Sequence, residues 1–166
     1  SNEILSTDKN VIIVEHKLGY ININAGIDRS NISENKNLVL LLPENPKKSA
    51  TYIQSQISKQ LKKDISVIIT DSMTRPYRAG ITNFAIASSN IQSLIDLKGE
   101  EDIFGNKLLA TEIAIADELA AASGLLMGQG NDMKPVVIIK GFDRSKYSIN
   151  NAFDLIINKD DDLYRF

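Results

Sequence analysis

The residues best placed to do chemistry are gathered in Thr70-Asp71-Ser72-Met73-Thr74-Arg75-Pro76-Tyr77-Arg78-Ala79-Gly80, where an acid, hydroxyls and two guanidiniums follow one another closely. An acid beside a hydroxyl suits a hard metal ion, and planar, permanently charged arginine forks suit phosphate or carboxylate oxygens. The preceding Val67-Ile68-Ile69 reads as a short apolar strand. Asp71 and Ser72 are therefore expected at its carboxyl end, where open α/β sheets place ligands. Pro76 stiffens the loop and keeps Arg75 out of the helical region. A surface turn whose arginines pair with local acids fits the same residues.

Asn24-Ala25-Gly26-Ile27-Asp28-Arg29-Ser30-Asn31 repeats this logic: a strand ends, a glycine permits a sharp turn, and a carboxylate stands at the tip among amides and hydroxyls. Asp28 is thus a second hard-metal candidate, although Asx residues also close turns for purely local reasons. If the two strands are neighbours, Asp28 and Asp71 can share one or two Mg²⁺ or Mn²⁺ ions that bridge nucleotide phosphates. Gln129, between Gly128 and Gly130, offers an amide oxygen at a third bend, or simply a solvent-facing side chain. Gly128-Gln129-Gly130 is not a dinucleotide fingerprint, and no Walker A lysine motif is present, so a nucleotide needs another device. His16, near a hairpin turn, reads as structural or exposed, and no nucleophile has a matched base.

Composition narrows the chemistry further. A chain of 166 residues is expected to form one domain (1–166) with a real core, burying roughly 70 % of the surface its unfolded form exposes. Its net charge of -2, from 19 basic and 21 acidic residues, points to no nucleic-acid partner and no charged membrane surface. No cysteine and one histidine remove the usual ligands of zinc, iron–sulfur and haem sites, so any metal is a hard, oxygen-bound one. Apolar runs such as Leu38-Val39-Leu40-Leu41-Leu42 are too short to span a bilayer. A soluble, cytoplasmic protein is the expectation.

The elements that must position these groups read as follows. Val11-Ile12-Ile13-Val14 and Tyr20-Ile21-Asn22-Ile23-Asn24 form a hairpin joined at Lys17-Leu18-Gly19, and a strand over 38–42 stops at Pro43. Asn45 caps a helix with Pro46 at its first position, and Ala50, Ile53, Ile57 and Leu61 give it an apolar stripe that packs on a sheet. Lysines in its first turn oppose the helix dipole and read as solvated more readily than as an anion site. An irregular region to about residue 105 includes a strand over 84–87. A long helix over about 107–127 is capped by Asn106, with Gly124 for close packing, and ends before strands at 135–140 and 155–157. The irregular alternation and the opening hairpin favour an α+β fold with a mixed β-sheet and packed helices.

Together, 24–31, Leu41-Leu42-Pro43 with Ser49-Ala50, Asp71-Ser72 with Arg75-Pro76 and Arg78-Ala79-Gly80, Asp96 with Gly99, Asp102 with Gly105, Ala116-Asp117-Glu118-Leu119, Leu126-Met127-Gly128-Gln129 and Asp162-Leu163-Tyr164-Arg165 resemble, in order and spacing, the coenzyme F420-0:gamma-glutamyl ligase family. The resemblance spans nearly the whole chain. It implies a GTP-dependent ligase that joins L-glutamate to coenzyme F420-0 through an acyl phosphate and extends the tail through gamma-linkages. It further implies an α+β homodimer using Mg²⁺ or Mn²⁺, with an additional N-terminal portion ahead of this stretch. By motif, Asp28 and Asp71 would ligate metal, Ser72 (in a place usually held by threonine) and Gln129 would lie near it, and Asn31 would contact the nucleotide. Arg75 and Arg78 are expected, from their own chemistry, to clamp phosphate or carboxylate. The family's glycine-rich segment after Gly80 is here Ala85-Ile86-Ala87-Ser88-Ser89-Asn90, and its glycine before Arg75 is Thr74. A noncatalytic metal- and nucleotide-binding or dimerisation module, or a ligase for another acceptor, is the alternative.

Overall fold

A computed structural model describes residues 3–7, 10–34, 37–144 and 152–164. Its centre is one long antiparallel hairpin, β4 (Val67–Arg75) with β5 (Arg78–Ser89), turned by Pro76 and Tyr77 alone. Tyr77 takes a positive φ of 56°, the third-position geometry of a type II turn that Pro76 sets up at its second position. The strand expected to stop at Ile69 therefore runs on for six more residues, and Asp71 and Ser72 sit inside a ladder rather than at a strand end. The physical reason is non-local: 70–75 finds a full partner in 78–85, which local pattern does not reveal.

A second sheet is the meander β1 (Glu3–Ser6), β2 (Ile13–Glu15) and β3 (Ile21–Ile23). The expected β2–β3 hairpin is present, closed by the Gly19 N–H on the His16 carbonyl at 2.8 Å. His16 is structural: it stacks on Tyr20 with ring centroids 5.0 Å apart and accepts the Leu18 N–H at 3.2 Å. Tyr20, Phe84 and Ile86 then form a buried cluster that joins this meander to one face of the β4–β5 hairpin, with Ile69 and Met73 beside it.

The opposite face of the hairpin carries α2 (Ile115–Met127), packed through Ala116 on Ala85. Helix α1 (Pro46–Leu61) packs on both strands. Its start is the one expected: Asn45 Oδ1 accepts the Lys48 N–H at 2.9 Å, with Pro46 in the first turn. Only the Pro46 and Ala50 end of its stripe is fully buried, while Ile53, Ile57 and Leu61 stay partly exposed.

Four further expectations are corrected. Helix α2 begins at Ile115, not near 107, and Asn106 caps nothing there. Instead Asp102 Oδ1 accepts the Phe104 and Asn106 N–H groups at 2.8 Å each, closing a turn whose arms lead back to the short pair β6 (Ile95–Asp96) and β7 (Glu112–Ile113). Side-chain capture of backbone groups thus outcompetes the first helical turns. Residues 38–42 contribute one bridge, Leu40 to Asp28, and 135–140 joins no ladder among the described residues, leaving Val136 and Ile138 exposed. Residues 155–157 form no strand: Leu155 closes a 3-10 turn, Ala152–Leu155, and 156–157 are irregular. The whole is an α+β arrangement of small antiparallel sheets and two helices, and no described helix is long and apolar enough to cross a membrane.

Candidate functional site

Asp71 points from β4 toward β3. Its Oδ1 accepts the Ser72 N–H at 2.7 Å and its Oδ2 accepts the Asn22 amide Nδ2 at 3.4 Å. Burial pushes its carboxyl above the ordinary aspartate value, the two hydrogen bonds pull it down, and the nearby charge of Asp28 raises it again. Two acids 43 residues apart in sequence (71 − 28) are therefore close enough to feel one another. Burial, with the charge of Asp71 second, raises the Tyr20 hydroxyl to about 12.

Asp28 reaches this place on a tightly folded turn. Gly26, at φ 71°, brings the backbone so close to Leu42 that a Cβ would meet Leu42 Cδ1 at 2.5 Å. Asp28 Oδ1 then accepts both the Ser30 N–H and its Oγ at 2.8 Å, and these bonds hold its carboxyl below the ordinary value. The local Asx turn and the approach to Asp71 coexist. An open cleft of about 570 Å³ lies along this turn, lined by Ile12, Asn24, Ile27, Asp28 and Arg29.

A second polar group occupies the other face of the hairpin. Successive strand residues point to opposite faces, so Ser72 sides with its cross-strand neighbour Asn83 and not with Asp71. Asn83 is buried against α2, where Gly124 makes room: a Cβ there would meet Asn83 Cγ at 2.9 Å. Gln129 Nε2 donates to Asn83 Oδ1 at 2.7 Å, and Asn31 Nδ2 donates to the Gly130 carbonyl at 3.0 Å. The 28–31 turn thus reaches both groups, Asp28 toward Asp71 and Asn31 toward the Gln129 bend. Arg75 and Arg78 stand apart: they flank the hairpin turn, four residues beyond Asp71, or about 13 Å along the strand. Arg75 Nη2 donates to the Ala79 carbonyl at 3.4 Å, and among the described residues neither arginine pairs with an acid.

The donor set is oxygen-rich and free of sulfur, and no cluster of three or more His, Cys, Asp or Glu occurs among the described residues. Two carboxylates supplemented by amide oxygens suit Mg²⁺ or Mn²⁺, and the buried Asn22 Oδ1 beside Asp71 has no hydrogen-bond partner.

The family model for F420-0:Gamma-glutamyl ligase matches residues 1–141. The chain belongs to that family. As a member of the F420-0:gamma-glutamyl ligases it is 42% identical over 165 residues to the coenzyme F420:L-glutamate ligase of Methanocaldococcus jannaschii, covering 99% of this chain and 65% of that protein. The corresponding ligase of Methanococcus maripaludis is 43% identical over the same shares. That of Methanosarcina mazei is 46% identical over 132 residues, 80% of this chain and 51% of that protein. This ligase-family chain therefore spans about two thirds or less of the curated relatives it matches.

Two residues of this family member escape a reading by motif, and a third, Asp117, stands in the 116–119 motif with no role assigned to it. Asn22 and Asn83 are buried polar strand residues in contact with Asp71 and Gln129. A signal for Asn22 exists in the alternation of Tyr20 and Asn22 against Ile21 and Ile23, once the Tyr20 phase is recognised as the buried one. Asp117 accepts the Ala85 N–H at 2.8 Å and lines a cleft of about 200 Å³ with Tyr20, Met73 and Phe84. Arg165 lies outside the described residues.

Proposed function

We propose that this chain carries the metal- and phosphate-handling portion of a GTP-dependent ligase that joins L-glutamate to coenzyme F420-0 and extends it through gamma-linkages. The observation that carries the reading is the Asp71 carboxylate, buried on β4 against Asn22 of β3 and near enough to Asp28, on its own turn, for that charge to act on it. Names of relatives supply the substrates, and acyl activation by a nucleoside triphosphate supplies the driving force for an amide bond.

Asp28 and Asp71 hold one cation through carboxylate oxygens, and Gln129, on the Asn83 face, offers Oε1 to a second while its Nε2 stays on Asn83. Because Ser72 shares the Asn83 face, it meets a cation beside Asp71 through its main chain rather than its hydroxyl. A bound Mg²⁺ or Mn²⁺ would neutralise triphosphate charge as the phosphoryl group moves. Asn31 is positioned to exchange its Gly130 bond for a nucleotide contact, and Arg75 and Arg78 clamp an anionic end of a substrate at the hairpin tip. An acceptor carboxylate oxygen attacks the γ-phosphorus, the bond to GDP breaks, and the glutamate amine then attacks the acyl carbon, losing a proton and expelling phosphate. Holding the three reactants in line contributes much of the rate.

The exposed apolar side chains Val136 and Ile138 of the unpaired 135–140 segment support association with further protein surface, and a homodimer is the partner proposed. The test incubates the protein with GTP, Mn²⁺, L-glutamate and F420-0 and follows mass. A product heavier by one glutamyl unit is expected; GTP turnover independent of glutamate and acceptor would remove the reading.

A further inference from the structure

The Asn22 side chain is 4% exposed, yet among the described residues its Oδ1 has no hydrogen-bond partner, so its desolvation is left uncompensated. Its Nδ2 faces Asp71 Oδ2 at 3.4 Å. The NH₂ group attracts a carboxylate, whereas an amide oxygen is repelled by one unless a cation lies between them. Half a turn about the terminal torsion, which is broad and two-fold, would set the amide oxygen at the same distance from Asp71 Oδ2. Adjacent oxygens in an octahedral Mg²⁺ shell lie about 3 Å apart, given bonds of 2.0–2.1 Å. The required adjustment is a few tenths of an ångström. Gly26 leaves room for it, since a Cβ there would stand 3.4 Å from the amide nitrogen.

We propose that Asn22 is a further oxygen ligand of the cation held by Asp28 and Asp71, its amide turning over from the Asp71 hydrogen bond to coordinate the ion. This rests on the cation reading above and adds to it a residue on a third element, β3, so that the site draws on β3, the 28–31 turn and β4. The sequence offers no motif for it; the buried, unpartnered oxygen does.

The test titrates Mn²⁺ into the protein and its variants, by calorimetry and by the loss of the free-ion paramagnetic signal, and records the rise in Tm that Mn²⁺ produces. Asn22→Ala is expected to weaken Mn²⁺ binding by roughly tenfold or more. Asn22→Asp places a second carboxylate against Asp71, so its cation-free Tm falls and its Mn²⁺-induced rise exceeds that of the unmodified protein. Should Asn22→Ala fail to fold, the Asn22→Asp rise alone decides: a rise no larger than that of the unmodified protein overturns the assignment. Loss of binding in Asp71→Asn with unchanged binding in Asn22→Ala overturns Asn22 as a ligand and leaves the cation site standing. Unchanged binding in Asp71→Asn removes the cation site and Asn22 with it.

Discussion

The carboxylate of Asp117 on α2 accepts the backbone N–H of Ala85 on β5 at 2.8 Å. The ladder between β4 and β5 slips at this point: Ile69 faces Ala87 and Thr70 faces Ala85, so Ile86 is an extra residue on β5. A bulge leaves backbone groups without ladder partners, and Asp117 satisfies one of them. The helix and the hairpin are thus joined by a polar bond behind the Tyr20–Phe84 cluster.

This bond gives a pH-dependent prediction. Burial raises the Asp117 carboxyl above its ordinary value of 3.8, and the Ala85 bond only partly offsets the shift. A carboxyl with a raised native pKa favours folding when protonated; that contribution is complete below 3.8 and is lost as pH climbs through the raised value. Asp117→Asn keeps an acceptor for Ala85 and carries no charge, so it should match or exceed the stability of the unmodified protein at neutral pH. The gap should close as the solution is acidified below pH 3.8. Asp117→Ala instead strands the N–H and should cost about 1–3 kcal/mol. Urea unfolding of all three proteins between neutral and acid pH measures both effects.

Gly124→Ala is expected to destabilise. In an exposed helix the change would gain about 1 kcal/mol, but here the new Cβ meets Asn83 Cγ at 2.9 Å, and Asn83 is buried and bonded to Gln129. Overpacking at roughly 1–3 kcal/mol outweighs the propensity gain. Thermal unfolding gives the sign; an increased Tm contradicts the packing argument.

Asp71→Asn is expected to cut Mn²⁺ affinity by at least tenfold, because a carboxylate already repelled by Asp28 loses the charge that a cation would neutralise. In the absence of metal the same variant should be no less stable, since it relieves the buried charge. Metal titration and metal-free unfolding, run side by side, separate the two roles.

Arg78→Ala should leave stability within about 0.5 kcal/mol, as expected of an exposed site without an ion pair, and should raise the KM of an anionic substrate with little change in folding. Arg75→Ala removes a guanidinium whose Nε is buried without a partner and whose Nη2 holds the Ala79 carbonyl, so it should also loosen the hairpin tip. Steady-state kinetics beside Tm measurements distinguish the two arginines.

Local chemistry was legible without coordinates. The α1 start at Asn45-Pro46 and the β2–β3 hairpin at Gly19 follow from residues within a few positions of one another. Caps, tight turns and glycine conformations are set by short-range sterics and hydrogen bonds, which a sequence displays directly. The length of β4, the late start of α2 and the unpaired 135–140 segment were not legible, because ladder partners and competing side-chain captures lie elsewhere in the chain. Tertiary structure alone decided that Asp28 comes near enough for its charge to act on Asp71, that Ser72 faces the other side of the hairpin, and that Asn22 lies beside Asp71. Strand alternation assigns a face only once the register is known, and register is fixed by burial summed over the whole hairpin rather than by any single residue.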